Sequence, residues 1–232
     1  MADSRSRFER LLQVSETALP QLEPAGTPKL SIARLYRALA LSKLGRHAEA
    51  SAAQEENGTL GDPAGLSNAC AEAQAGKDWP RLGDLAAVLQ ARPAFKAQAQ
   101  LWQGEALFNQ TRMAEAEGPF EEGLQADPAH PAAWAMLGAC RAARQAYPEA
   151  LEALDQAIAR DPAQPDPYFN RALVRFGLKQ YRAGREDLLK AQKLDPEDPG
   201  FRARVQENLR WVDTYLKGQS KPAVREPSNR RP

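Results

Sequence analysis

The sequence predicts an all-α chain, a solenoid of stacked helix–turn–helix hairpins with an extra helix at its start and a capping helix at its end. Three observations carry this. The dipeptide Asp-Pro recurs as Asp127-Pro128, Asp161-Pro162 and Asp195-Pro196, a spacing of 34 residues twice over. A period of that length belongs to helical-hairpin arrays, in which a unit cannot bury its apolar face alone and stacks on its neighbours. The residues between the prolines repeat with the period. Offsets occupied by Trp134, Leu137, Gly138, Ala150, Leu154, Ala157 and Pro162 return as Tyr168, Arg171, Ala172, Gly184, Leu188, Ala191 and Pro196, and precede as Gln100, Gln103, Gly104, Ala116, Phe120, Gly123 and Pro128. Finally, Phe201, Val205, Leu209, Val212 and Leu216 step by four, four, three and four, one apolar stripe on a helix.

Taken in order, about twelve helices are expected. Phe8, Leu11 and Leu12 open a lone helix over 5–19, and the segment 20–28, rich in Pro and Gly, breaks it. A helix over 29–44 carries Leu30, Leu35, Leu39 and Leu41 and ends at Gly45, a C-terminal cap candidate. Its partner runs over 47–57 and stops at Asn57-Gly58. A second irregular hairpin follows, 63–76 and 79–90; its Pro93 lies 35 residues before Pro128, which implies one inserted residue. The domain reading is therefore 1–28 as helix and loop, 29–96 as two degenerate hairpins, 97–198 as three regular repeats, 199–217 as cap, and 218–232 as a disordered basic tail. Small residues at the eighth and twentieth positions of a repeat let its two helices approach, the large residue at the twenty-fourth fills the space between hairpins, and the Pro stops the second helix.

These residues closely resemble the tetratricopeptide repeat family, strongly over 97–198 and more weakly over 29–96. The resemblance implies a right-handed superhelix and a role in protein–protein contact. The chain departs from the family at the eleventh position, where Arg141 and Arg175 replace the usual Tyr; their stems can pack with the heads in solvent. The family's first helices face a concave groove with their second, fifth, ninth and twelfth residues. Carried over, these are Gln98, Leu101, Glu105 and Phe108, then Ala132, Ala135, Ala139 and Ala142, then Asp166, Phe169, Leu173 and Phe176. The expectation is an apolar trough with an Ala floor. The alternative for Phe169, Leu173 and Phe176 is burial under the last helix. Family members that clamp a terminal carboxylate use five polar residues. Here Asn170 and Arg204 line up with two of them, whereas Ala135, Ala139 and Gly200 stand where Lys, Asn and Lys are needed, so a full clamp is not expected.

The remaining chemistry is sparse. Phosphate loops, His-Glu-x-x-His, Cys-x-x-Cys and Gly-x-Ser-x-Gly are all missing from the sequence. His47 and His130 fall at turns, which reads as solvated loop residues, and no enzyme activity, cofactor or metal is expected. Cys70 and Cys140 lie on helices of different hairpins and read as small buried hydrophobes rather than a disulfide. Charged residues make up 26% of the 232 and the net charge is +1, so nothing global steers the chain to nucleic acid. No apolar run reaches the roughly 20 residues needed to span a bilayer, and Met1 to Glu16 lacks the apolar core of a signal peptide, so cytoplasmic residence is expected. From Lys217 onward the basic residues are Lys217, Lys221, Arg225, Arg230 and Arg231 against one acid, Glu226. The functional expectation is an adaptor or scaffold whose groove holds a peptide or helix of another protein. The alternative is a structural protein that self-associates through its terminal helices into a homo-oligomer.

Overall fold

The computed structural model describes residues 2–22, 28–59, 63–194 and 198–219. Among these residues it contains twelve α-helices, a short 3₁₀ turn (Pro93–Phe95) and no strand. The chain forms two compact units, 1–129 and 130–232. The first contains α1 (Ala2–Leu22), α2 (Pro28–Lys43), α3 (His47–Thr59), α4 (Pro63–Ala75), α5 (Trp79–Leu89), α6 (Lys96–Asn109) and α7 (Met113–Ala126), each packed on the next. The second contains α8 (Pro131–Ala143), α9 (Tyr147–Arg160), α10 (Pro165–Gly177), α11 (Tyr181–Lys193) and α12 (Pro199–Gln219). There α10 packs on both α8 and α9, and α12 covers α11.

The repeat is written into the backbone at the turn inside each hairpin. Lys77, Thr111, Gln145 and Lys179 adopt φ of 57°, 62°, 63° and 60°, and Gly45 adopts 76°. This left-handed residue lets the next amide reach back to the end of the first helix. Arg46 N donates to Leu41 O, Asp78 N to Ala73 O, Arg112 N to Leu107 O, Ala146 N to Arg141 O and Gln180 N to Arg175 O, all at 2.9, 3.0 or 2.8 Å. These are the long closing bonds of a Schellman cap. Only Gly45 takes the conformation without a Cβ penalty; the other four hold an uncommon one because the two helices they join are locked together.

At the repeat boundaries the Asp-Pro pairs act as the sequence indicates. Asp127 and Asp161 are extended, as a residue before Pro is biased to be, and their Oδ1 atoms accept from Ala129 N at 3.1 Å and Ala163 N at 3.0 Å. The third pair, Asp195-Pro196, lies outside the described residues, as do 23–27 of the expected break and 220–232 of the basic tail. The off-period Pro93 opens the 3₁₀ turn before α6. Several helix ends differ from expectation. α1 runs through Pro20 to Leu22, because a Pro in the last turn removes only one donor there. α3 continues past Asn57-Gly58 to Thr59, and α12 extends to Gln219.

The hairpins close on glycine. A Cβ built at Gly138 would sit 2.6 Å from Leu154 Cγ and 3.2 Å from the Ala150 carbonyl oxygen; one at Gly104 would sit 2.7 Å from the Phe120 ring. Helix α8 therefore lies directly on α9, and α6 on α7, with the twenty-fourth residue of each repeat capping the contact. Gly138→Ala should destabilise the second unit by about 1–3 kcal/mol, since backbone as well as side chain blocks the added methyl. Urea unfolding measures this, and an unchanged midpoint would contradict the close approach.

Helix α12 buries its stripe: Phe201, Val205, Leu209 and Val212 join Tyr168, Phe169, Ala172, Leu188 and Ala191 in one core, with Leu216 packed against it. Large apolar side chains contribute roughly 1.5–3 kcal/mol each when fully buried. Removing 199–232 should lower the melting temperature of the second unit and promote aggregation, whereas removing 220–232 should change neither. Light scattering and calorimetry would refute this if the two truncations behaved alike.

Candidate partner-binding faces

In the first unit, Leu101 does not line a trough. It is 5% exposed and its Cδ2 occupies the space over Gly123 of α7, 2.5 Å from where a Cβ would stand. Gln98 and Phe108 are half-buried. Glu105 is also half-buried. Its Oε2 accepts from Gln74 Nε2 at 2.6 Å, and Trp102 Nε1 donates to Gln74 Oε1 at 3.3 Å, which ties α6 to α4. Burial pushes the Glu105 carboxyl above its ordinary range, and the Gln74 bond only partly opposes it.

In the second unit Ala135, Ala139 and Ala142 are half-buried and Ala132 is exposed. Phe169 is 6% exposed, with its ring centroid 5.4 Å from that of Phe201 on α12. Phe176 is half-buried over Gly184, its Cε1 2.5 Å from a built Cβ, and its ring lies 5.4 Å from Trp211. Burial under α12 thus replaces the greasy wall expected from Phe169, and Phe176 fills its own hairpin. Leu173 remains on the surface, 41% exposed. Of the two clamp-like residues, Asn170 is half-buried and Arg204 is exposed, its guanidinium stacked 5.4 Å from Phe169 and 5.3 Å from Phe201. Arg204 also faces Asp166, whose carboxyl burial raises and Arg204 pulls back down.

The eleventh-position arginines are not solvent-facing heads. Arg141 Nη1 donates to Glu149 O at 3.2 Å and Arg175 Nη1 to Ala183 O at 3.2 Å, eight residues onward in both repeats, so each pins the start of the second helix. Arg175 also donates to Asp187 Oδ2 at 2.7 Å. Asp187 is 4% exposed and receives Arg171 through Nε at 3.0 Å and Nη2 at 2.7 Å, while Arg171 reaches Asp155 on α9. This is how an Arg is accommodated where the neighbouring repeat has Leu137. His47 also departs from the solvated-turn reading: it is half-buried, with Nδ1 3.0 Å from Glu72 Oε2.

The apolar face that the first unit leaves exposed lies on α2. Ile32, Leu35, Tyr36 and Leu39 are 50%, 39%, 50% and 44% exposed. Their spacing of three, four and seven from Ile32 is one helical stripe. The opposite side of α2 is consumed by packing, with Ala38, Ala40 and Leu41 in a core with Leu12, Ala50 and Ala53. Sequence reasoning named Leu35 and Leu39 as apolar residues of this helix and passed over Ile32 and Tyr36. The signal was present: counting back from Ala50 as a twentieth position makes Ile32, Leu35 and Leu39 the second, fifth and ninth residues of their repeat.

Other chemistry is confined. Cys70 and Cys140 are both buried free thiols, and burial pushes the Cys70 thiol up to about 12. Among the described residues no group of three His, Cys, Asp or Glu could hold a metal ion, and no helix is long and apolar enough to cross a membrane.

Glu105 should make the stability of the first unit depend on pH. Its folded-state value is raised, so the protonated carboxyl is favoured by folding. The stabilising contribution is full below the ordinary glutamate range and is lost as pH rises through the raised value. Glu105→Gln keeps an acceptor for Gln74 and should stabilise the first unit at neutral pH. It should also flatten the acid-side dependence of its melting temperature. A parallel, unshifted pH profile would show that the carboxyl carries no burial penalty.

Comparison with known proteins agrees with this architecture. Residues 82–131 and 165–198 match the tetratricopeptide repeat, and 141–179 match the TPR repeat. Among curated proteins, the chain is 23% identical over 126 residues to Hsp70-Hsp90 organizing protein 3 of Arabidopsis thaliana, a match that covers 54% of this chain and 23% of that protein. The chain therefore spans about a quarter of the length of that relative. Among solved structures it resembles YrrB, described as a TPR protein with an unusual peptide-binding site, with a TM-score of 0.61 at 15% identity over 88% of this chain and 99% of that one. It also resembles a thermophilic TPR protein of Thermus thermophilus, with a TM-score of 0.58 at 18% identity over 78% and 99% of the two chains. With the 34-residue period, the left-handed turns and the glycine-closed hairpins, these matches identify residues 82–131 and 141–198 as tetratricopeptide repeats.

Proposed function

We propose that the chain is a non-enzymatic protein-interaction module, a cytoplasmic adaptor or scaffold, whose first unit holds an apolar helix or extended segment of another protein on α2. The observation that carries this reading is the stripe Ile32, Leu35, Tyr36 and Leu39, four large apolar side chains exposed on one helix face while the rest of α2 is packed. Such a contiguous stripe is unusual on a protein surface and marks contact sites. The spacing matches the anchors used when an amphipathic helix meets a groove. Two relatives support a protein partner by what their descriptions say of them, a peptide-binding site in YrrB and the organizing of Hsp70 and Hsp90 in the Arabidopsis protein. In the second unit Leu173, Asn170 and the exposed edge of Arg204 make a smaller secondary surface. Glu105, Phe108, Ala135 and Ala139 sit at the groove positions without offering comparable apolar area.

The test is a triple substitution, Ile32→Ser with Tyr36→Ser and Leu39→Ser. All three positions are exposed, so circular dichroism should match wild type. Partners recovered from cell extract by wild type and lost by the variant would be identified by mass spectrometry, and the partner segment then titrated. Apolar anchors cost about 2 kcal/mol when removed from a binding centre, so affinity should fall by roughly thirtyfold. Unchanged affinity would remove α2 from the function. Sedimentation velocity separates the rival reading: a wild-type oligomer that the triple variant converts to monomer would make this face a self-association surface.

A further inference from the structure

The second unit carries a cluster of aromatic rings at the inter-helix turn of its last hairpin, in which only Phe176 stands at a position assigned to the groove. Trp211 and Tyr215 stack on α12 with centroids 5.8 Å apart and planes 17° from parallel. Tyr181, at the start of α11, meets Tyr215 at 4.3 Å and Trp211 at 5.9 Å, and Phe176 backs Trp211 at 5.4 Å. This is not a closed core, since Trp211 is 50% exposed and Tyr181 and Tyr215 are only half-buried. An open cleft beside the rings is lined by Lys179, Arg182, Tyr181 and Tyr215. The adjoining cleft shares Arg182 and adds Lys217. Arg185, also in the adjoining cleft, is neutralised by Asp213, its Nε 2.5 Å from Oδ1. Lys179, Arg182 and Lys217 have no such carboxylate among the described residues.

We propose that this aromatic and cationic cleft binds an acidic peptide segment of another protein, with one large apolar side chain seated against Trp211 and Tyr215 and carboxylates paired to Lys179, Arg182 and Lys217. Charge selects this occupant. The chain's own tail has four cations after Gly218 against Glu226 alone, so the basic rim repels it. Aromatic rings with cations also suit single-stranded nucleic acid. However, Glu186 lines the adjoining cleft and would face a continuous phosphate backbone, while Asp213 is already paired with Arg185. Discrete carboxylates with an apolar anchor can avoid Glu186. The rings supply dispersion and rigid contact area at little entropic cost, and the cations supply register and salt-sensitive attraction.

The test uses the full chain and a fluorescein-labelled peptide of repeated Glu-Phe-Asp triplets, read by fluorescence anisotropy. Binding should weaken with added salt. It should fall by about tenfold or more in Lys179→Glu with Arg182→Glu, and likewise in Trp211→Ala. The charge-reversal pair lies on the surface, so it keeps the test decisive if the Trp variant fails to fold. The α2 triple variant should bind this peptide as wild type does, so this inference and the α2 reading can fail separately. The proposal is overturned if charge reversal leaves binding unchanged, or if a Glu-Ser-Asp peptide binds equally well. Tighter binding of a Lys-Phe-Lys peptide, or of a single-stranded oligonucleotide, would overturn it as well.

Discussion

The structure depends on how closely the two helices of each hairpin approach. Gly104, Gly138 and Gly184 remove the Cβ at the contact, and Phe120, Leu154 and Phe176 move into the space that is left. At Gly138 and Gly184 an added methyl would meet backbone as well as side chain, and at Gly104 it would meet the Phe120 ring. The left-handed turn residue is a consequence. With the helices seated, the chain must reverse within a few residues, so Lys77, Thr111, Gln145 and Lys179 accept a conformation that favours glycine.

The same seam redistributes the large apolar residues. A groove position is defined by helical phase alone, and by phase Leu101 and Phe176 face outward. A glycine opposite creates a vacancy, and filling a vacancy wins over exposure because interiors pack at crystal density and lose contacts when they do not. Leu101 fills the space over Gly123, and Phe176 the space over Gly184. Phe169 is taken by α12 through Phe201. What remains exposed is then set by where no vacancy exists, as on α2. Its buried side is lined by Ala38, Ala40 and Leu41, and its other side keeps Ile32, Leu35, Tyr36 and Leu39 at the surface.

Polar residues at repeat positions normally held by apolar ones are resolved by partners distant in sequence. Arg171 stands at the offset of Leu137 and would be a buried charge without Asp187, sixteen residues on. Arg175 shares that carboxylate. Two cations around one nearly buried Asp, with Asp155 completing the set, satisfy the requirement that a charge removed from water be paired and hydrogen-bonded.

The sequence alone determined the hairpin architecture, because period, proline and small residues are local in character and recur at fixed offsets. The 34-residue interval, the Asp turns at 127 and 161, the stripe from Phe201 to Leu216 and the count of helices were all legible in it. Helix ends near Pro20 and Asn57 were not, since packing carries a helix past residues of poor propensity. The candidate site was legible only in part. Phase places a residue on a face, but tertiary packing decides whether that face meets water, a glycine vacancy or another helix. That decision moved the exposed apolar surface from Leu101 and Phe169 to α2, and it gathered Phe176, Tyr181, Trp211 and Tyr215 from three helices into one cluster. Contacts across such distances in the chain depend on the complementary shapes of surfaces that exist only after the hairpins have closed.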